Sequence, residues 1–159
     1  VKAFRRSRHQ FVAVFEPVEA GTLSLLASQL SELIDSRADH DTDPALERLL
    51  PDAYPNDVEA SAEFRRFTAD DLASRKSANA HRIVADLATA ARASSPTAVK
   101  VDAQSAQAWV RSLTDIRLTI AARLGIEADG DLGSEDPALL DLYDWLGFVQ
   151  GSLVDCLDH

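Results

Sequence analysis

The residues able to do chemistry fall in a few groups along the chain. Arg111, Asp115, Arg117 and Arg123 interrupt a helical stretch that is otherwise apolar on most sides. Arg111 and Asp115 stand four apart and can pair along a helix, whereas Arg117 falls on another face and needs a partner from elsewhere. Arg111, Asp115 and Arg117 therefore read as a structural ion-pair cluster that fixes helix packing. Their functional reading is an arginine site for an acidic ligand or a phosphate. A second group, Arg65, Arg66, Arg75, Lys76 and Arg82, with His81 among them, forms a candidate basic face. The helix expected over 58–66, a tight turn and a helix over 69–93 are superficially like a helix-turn-helix. The second helix is longer than a typical recognition helix and must also bury a stripe.

Cys156 and His159 are three apart at the end of the last helix and can touch there. A nucleophile at a chain terminus has no surrounding shell to hold it, so the plain reading of Cys156 is a small, partly buried helix residue. The sharper reading is a redox thiol, which needs a lowered pKa and exposure. Asp155 and Asp158 beside it push the other way. His9, His40, His81 and His159 are scattered, and none has a second ligand at helical spacing in an apolar setting. The loop ADHDTD around His40 and the loop EADGDLGSED around Asp129 and Asp131 both lack the full ligand set of a calcium loop. No glycine-rich phosphate loop and no nucleophile elbow occurs. These residues call for no cofactor, no metal and no enzyme.

Composition narrows the classes further. The chain has 159 residues with 46% hydrophobic and 26% charged, a globular balance that fits one domain over 1–159 with a real core. No apolar run approaches the length of a membrane span, and the N-terminus lacks a signal-like stretch. A lone cysteine excludes an internal disulfide and fits a reducing, cytoplasmic compartment. Met is absent at every position, which is the expectation for a processed fragment or for a sequence lacking its Met positions.

A net charge of −10 argues against nonspecific nucleic-acid binding. The charge is segregated, however: +4 over 1–15, −9 over 16–60, +4 over 61–125 and −9 over 126–159. The blocks neutralise one another in the fold, or a basic face meets an acidic partner or phosphate.

Several elements must position these groups. QFVAVF at 10–15 is β-branched and aromatic, predicts a strand, and can pair with an extended piece at Lys2–Arg5 and with 97–101. Leu23, Leu26, Leu30, Leu33 and Ile34 line one face of a helix from about Glu19 to Arg37. Asp43-Pro44 and Asp136-Pro137 are helix starts, for a short helix over 45–50 and a last helix to about Leu157. Tyr54-Pro55-Asn56 reads as a turn, with Asn56 or Asp57 as the cap of helix 58–66. Thr68 to Asp71 resembles a capping box for a helix to about Ala93, burying Leu72, Ala80, Ile83, Val84, Leu87 and Ala91. Asp102 caps a helix over 103–124 that Gly125 ends, and 127–136 is an acidic loop. Helices 103–124 and 137–157 are apolar on most sides, which predicts an antiparallel pair at the centre of the fold or at a subunit interface. Trp145 and Leu146 are expected between helices, so that Trp145→Ala costs about 3–5 kcal/mol. The fold class is mainly α, a helical bundle around these two helices with a small antiparallel β element.

The blocks DPALERLLPDAYPND, EFRRFTADDLASRK, AWVRSLTDIRLTIAARLGIE and YDWLGFVQGSLVDCL, in this order, resemble an actinobacterial domain-of-unknown-function family. Some members are described as oxidative-stress-responsive transcriptional regulators of the AosR type. The resemblance spans nearly the whole chain and implies a mostly helical cytoplasmic protein that acts in regulation without being an enzyme. A protein partner, DNA or both, and a homodimer, are the expected associations; a membrane is not, and the alternative is a protein–protein interaction module with no nucleic-acid binding. The redox description invokes a cysteine pair; with Cys156 alone that intramolecular switch is closed to this chain, which either senses nothing or uses an intermolecular bond.

Overall fold

The computed structural model describes residues 2–39, 43–50, 60–125 and 136–158, with the side chains of 60–69 outside that description. Strand β1 (Lys2–Ser7) and strand β2 (Gln10–Phe15) form a hairpin, and β3 (Thr97–Asp102) pairs with the other side of β2. The sheet is antiparallel with order β1-β2-β3, as the β-branched runs predict. The hairpin turns at Arg8, whose φ of 57° is a left-handed value uncommon for a side chain with a Cβ.

Helix α1 (Pro17–Asp35) begins where the strand ends. Pro17 takes the first helical turn, and the Glu16 N–H donates to Glu19 Oε1 at 2.9 Å, closing a capping box that the sequence reading missed. A 3-10 turn (Arg37–Asp39) follows. Helix α2 (Pro44–Leu49) starts at Asp43, whose carboxylate accepts from the Ala45 N–H at 2.9 Å. The Tyr54–Asn56 turn, the Asn56 or Asp57 cap and most of the acidic loop 127–136 lie outside the described residues.

The next region corrects the reading. Instead of helices 58–66 and 69–93 separated by a turn, there is one helix, α3 (Ala60–Arg92). Thr68 is inside it rather than at a helix start. Residues 60–92 contain neither Gly nor Pro, so nothing in the covalent chain breaks the helix. The helix-turn-helix likeness goes with the turn. Its buried stripe is Ala73, Ser77, Ala80, Ile83, Leu87 and Ala90, with Leu72, Val84 and Ala91 only partly buried. The small residues Ala20 and Ala27 of α1 and Ala73, Ala80 and Ala90 of α3 let these two helices pack against each other closely, with Leu23, Leu30, Ile34, Ile83 and Leu87 filling the seam.

Helix α4 (Ala103–Leu124) is capped by Asp102, which accepts from the Ser105 N–H at 2.8 Å, and ends at left-handed Gly125. These hydrogen bonds hold the Asp102 carboxyl below its usual range. Packed against α1, α2, α3, the sheet and α5 (Pro137–Leu157), α4 puts Trp109 at the middle of the core. There the Trp109 ring lies 5.6 Å from Phe4 and 6.1 Å from Phe15. Its indole N–H donates to Asp86 on α3 at 2.8 Å.

Helix α5 runs antiparallel to α4, with Gln150 at Val110 and Leu139 near Ile120. It buries Leu146, Val149 and Leu153. Its other sides are more open than the sequence suggests: Trp145 is only partly buried and Phe148 is 50% exposed. The same helix covers the free edge of β1. Ser152 Oγ accepts from the Phe4 N–H at 3.2 Å, and Cys156 Sγ donates to the Phe4 carbonyl at 3.1 Å. Two edge groups that would otherwise invite another strand are thereby satisfied. The fold is mainly α with a small three-stranded antiparallel sheet, as the sequence predicts.

Candidate functional site

Arg75, Lys76 and Arg82 of α3 and Arg111 of α4 meet along the groove between these two helices. On α3, Arg75 and Arg82 are seven apart and share a face, while Lys76 and Asn79 turn toward α4. Two adjoining hollows of about 390 and 330 Å³ share Ala78, Asn79 and Arg111 in their walls. Their charged lining is Arg75, Lys76, Arg82 and Arg111 against one acid, Asp115. Gln104, Gln107 and Ser105 supply neutral hydrogen-bonding groups. Arg65 and Arg66 belong to the first turns of α3, and their side chains lie outside the described residues.

The expected pair of Arg111 with Asp115 does not form. Asp115 Oδ1 accepts instead from Lys76 Nζ at 2.6 Å. The reason is burial: Asp115 faces α3 and is 2% exposed, whereas Arg111, four residues earlier, stays in solvent. Burial pushes the Asp115 carboxyl up, and Lys76 offsets part of that rise. Among the described residues Arg111 has no hydrogen-bond or ion-pair partner, which leaves its guanidinium available to a ligand. Arg75 bonds Asp71 on its own helix at 3.2 Å, and Arg82 donates to Ser105 Oγ at 2.8 Å with Asp86 3.9 Å away.

Arg117 does find its partner elsewhere, on α5. Its guanidinium lies 4.3 Å from the centre of the Tyr143 ring, and it donates to Gln150 Oε1 at 3.4 Å. This is a packing role. Gln150 in turn donates to the Val110 carbonyl at 2.9 Å and to Thr114 Oγ1 at 2.6 Å. Arg123 makes a two-pronged ion pair with Asp43, at 2.7 and 3.0 Å, which raises the Arg123 pKa. It ties the end of α4 to the start of α2.

Cys156 stands apart from this groove. Burial raises its thiol pKa first, and Asp155 adds to the rise while Arg6 opposes it. The protonated thiol is also the form that donates to Phe4. His9 and His81 are exposed and apart, His40 and His159 fall outside the described residues, and among the described residues no three His, Cys, Asp or Glu side chains gather as a metal site. No described helix is long and apolar enough to cross a membrane.

Sequence reasoning missed Lys76–Asp115, Trp109–Asp86 and the Gln150 bridge. Asp86 had a signal, since it falls on the apolar side of α3 between Ile83 and Ala90. Gln150 had a weaker one, an amide in a helix that is apolar nearly all round.

A family model described as a domain of unknown function (DUF2017) matches residues 1–157. No curated protein and no solved structure matches the chain.

Proposed function

We propose that this chain, which belongs to the DUF2017 family, is a non-enzymatic cytoplasmic regulatory protein that holds an acidic segment of a protein partner in the α3–α4 groove. The observation that carries this reading is Arg111, a guanidinium without a partner among the described residues, at the junction of two hollows lined by three further cations. The groups there are guanidiniums, an ammonium and amides, which recognise carboxylates by charge and paired hydrogen bonds. They bind rather than transform. The transcriptional setting comes from the likeness to AosR-type regulators, and in this reading such a protein acts through a partner and not by placing a helix in DNA. A long unbroken α3 that also packs on α1 and α4 favours that route. No redox step enters, because the Cys156 thiol is bonded to Phe4 as a proton donor.

Fluorescence anisotropy with a labelled oligoglutamate peptide and with duplex DNA tests the reading. The peptide should bind at low salt, and Arg111→Glu should weaken it by about tenfold or more. No binding of the peptide, or binding indifferent to Arg111→Glu, would remove the groove. Tighter binding of duplex DNA with a steep salt slope would replace the acidic protein by phosphate.

A further inference from the structure

Helix α5 presents a stripe that the fold leaves open. Asp141, Asp144, Phe148, Gly151 and Asp155 follow a 3-4-3-4 spacing, and all five are exposed. Phe148, at 50% exposure, is one of the few large apolar side chains of the described residues left in solvent. Trp145, partly buried, flanks it. Among the described residues nothing lies within 4 Å of where a Cβ on Gly151 would sit, so the surface beside Phe148 is open. Three aspartates surround this apolar centre, and residues 126–159 contain no Lys or Arg.

Directly beside the stripe lies a surface of opposite charge. Ser152 and Cys156 fasten α5 to β1 at Phe4. Strand β1 carries Lys2, Arg5 and Arg6, all exposed, with Arg8 at the hairpin tip. An acidic, apolar helix and a basic strand therefore run side by side as one patch. A patch with both signs next to each other is complementary to itself after a twofold rotation. Two α5 stripes facing each other would set aspartate against aspartate with no cation between, which opposes that arrangement.

We infer that this face is the interface of a homodimer, in which the α5 stripe of each copy docks against β1 of the other around a twofold axis. Phe148 is the apolar anchor, and Asp141 and Asp144 meet Lys2 and Arg5 of the second copy. Both contacts are equivalent, so each charge pair occurs twice. The groove between α3 and α4 is built from other elements.

Sedimentation velocity over a wide concentration range, with circular dichroism to verify folding, tests this directly. The unmodified chain should dimerise, and Phe148→Glu should weaken the dimer by about tenfold or more. Two exposed charge variants give an independent reading. Asp141→Lys with Asp144→Lys sets Lys against Arg, and Lys2→Glu with Arg5→Glu sets Glu against Asp, so each alone should be monomeric. Mixed together they should form a heterodimer, because every contact then has opposite signs. A chain that stays monomeric, a dimer indifferent to Phe148→Glu, or a mixture that yields no heterodimer overturns the inference.

Discussion

Lys76 on α3 and Asp115 on α4 are joined by a 2.6 Å ion pair across 39 positions of sequence, and the aspartate is almost wholly buried. Among the described residues only one carboxylate oxygen is engaged, and Asp115 Oδ2 and Ser112 Oγ, one turn apart on α4, are buried without a hydrogen-bond partner. The pair thus fixes how α3 and α4 face each other, and it sets the floor of the groove that carries Arg111.

Removing one partner should cost far more than replacing both. Lys76→Met leaves a buried carboxylate alone, a loss of about 3 kcal/mol, at the low end for buried pairs because Asp115 can take up a proton. Lys76→Met with Asp115→Leu removes both desolvated charges and should fall within about 1 kcal/mol of the unmodified chain or above it. Urea melts of the two variants check the ordering. A double variant less stable than Lys76→Met would show that the pair is a net stabiliser.

The same pair sets a pH dependence. Burial raises the Asp115 pKa in the folded chain above its unfolded value of about 4. A carboxyl raised on folding favours the folded state while it is protonated. That contribution is full below the unfolded pKa and is lost as pH rises through the folded pKa. The stability of the unmodified chain relative to Asp115→Asn should therefore decline across that acid window. A relative stability that grows with pH would mean that Lys76 outweighs burial.

The two tryptophans should differ in what their removal costs. Trp109 is fully buried among Phe4 and Phe15 and bonded to Asp86, so Trp109→Ala should cost about 3–5 kcal/mol. Trp145 is only partly covered, and Trp145→Ala should cost about 1–2 kcal/mol. Thermal melts of the two variants decide this, and equal losses would place Trp145 in the core after all.

Cys156 should behave as a slow thiol. Its pKa is raised and its proton is given to the Phe4 carbonyl, so little thiolate exists at neutral pH. Alkylation by iodoacetamide at neutral pH should be slower in the native chain than in urea. Cys156→Ser keeps a donor and should be near neutral, whereas Cys156→Ala frees the edge carbonyl and should cost about 1 kcal/mol. Faster alkylation of the native chain would contradict the hydrogen bond.

The elements with local signals were legible. Asp43, Asp102 and Asp136 each announce a helix start because a short carboxylate reaches the first backbone N–H groups, and each does so in the structure. The strands showed in QFVAVF and TAVKV. Where the reading failed, a local signal competed with context. Thr68-Ala-Asp-Asp71 resembles a cap, but a cap motif inside a run without Gly or Pro does not end a helix. The site is half legible: the sequence marks every cation of the groove, but it pairs Asp115 with Arg111, because four-residue spacing is visible in sequence and a contact between helices is not. Which side of Asp115 is buried depends on where α3 lies, and no single helix contains that information.

Arg117 and Gly147 give the most specific test of the α4–α5 seam. The Arg117 guanidinium lies between Tyr143 and the backbone of α5, and a Cβ built on Gly147 would sit 3.1 Å from Arg117 Nη2. Replacing a helical glycine by alanine ordinarily gains about 1 kcal/mol. Gly21, inside α1 with nothing among the described residues within 4 Å of its Cβ position, should show that full gain in Gly21→Ala. Gly147→Ala must push the guanidinium off its place on Tyr143, and loss of such a stack costs about 0.5–2 kcal/mol. The gain should therefore shrink or reverse. In an Arg117→Ala background the obstruction is gone, and Gly147→Ala should recover a gain like that of Gly21→Ala. Urea melts of these variants form a double-mutant cycle. A Gly147→Ala effect that is the same with and without Arg117 would show that the glycine is not there to admit the guanidinium.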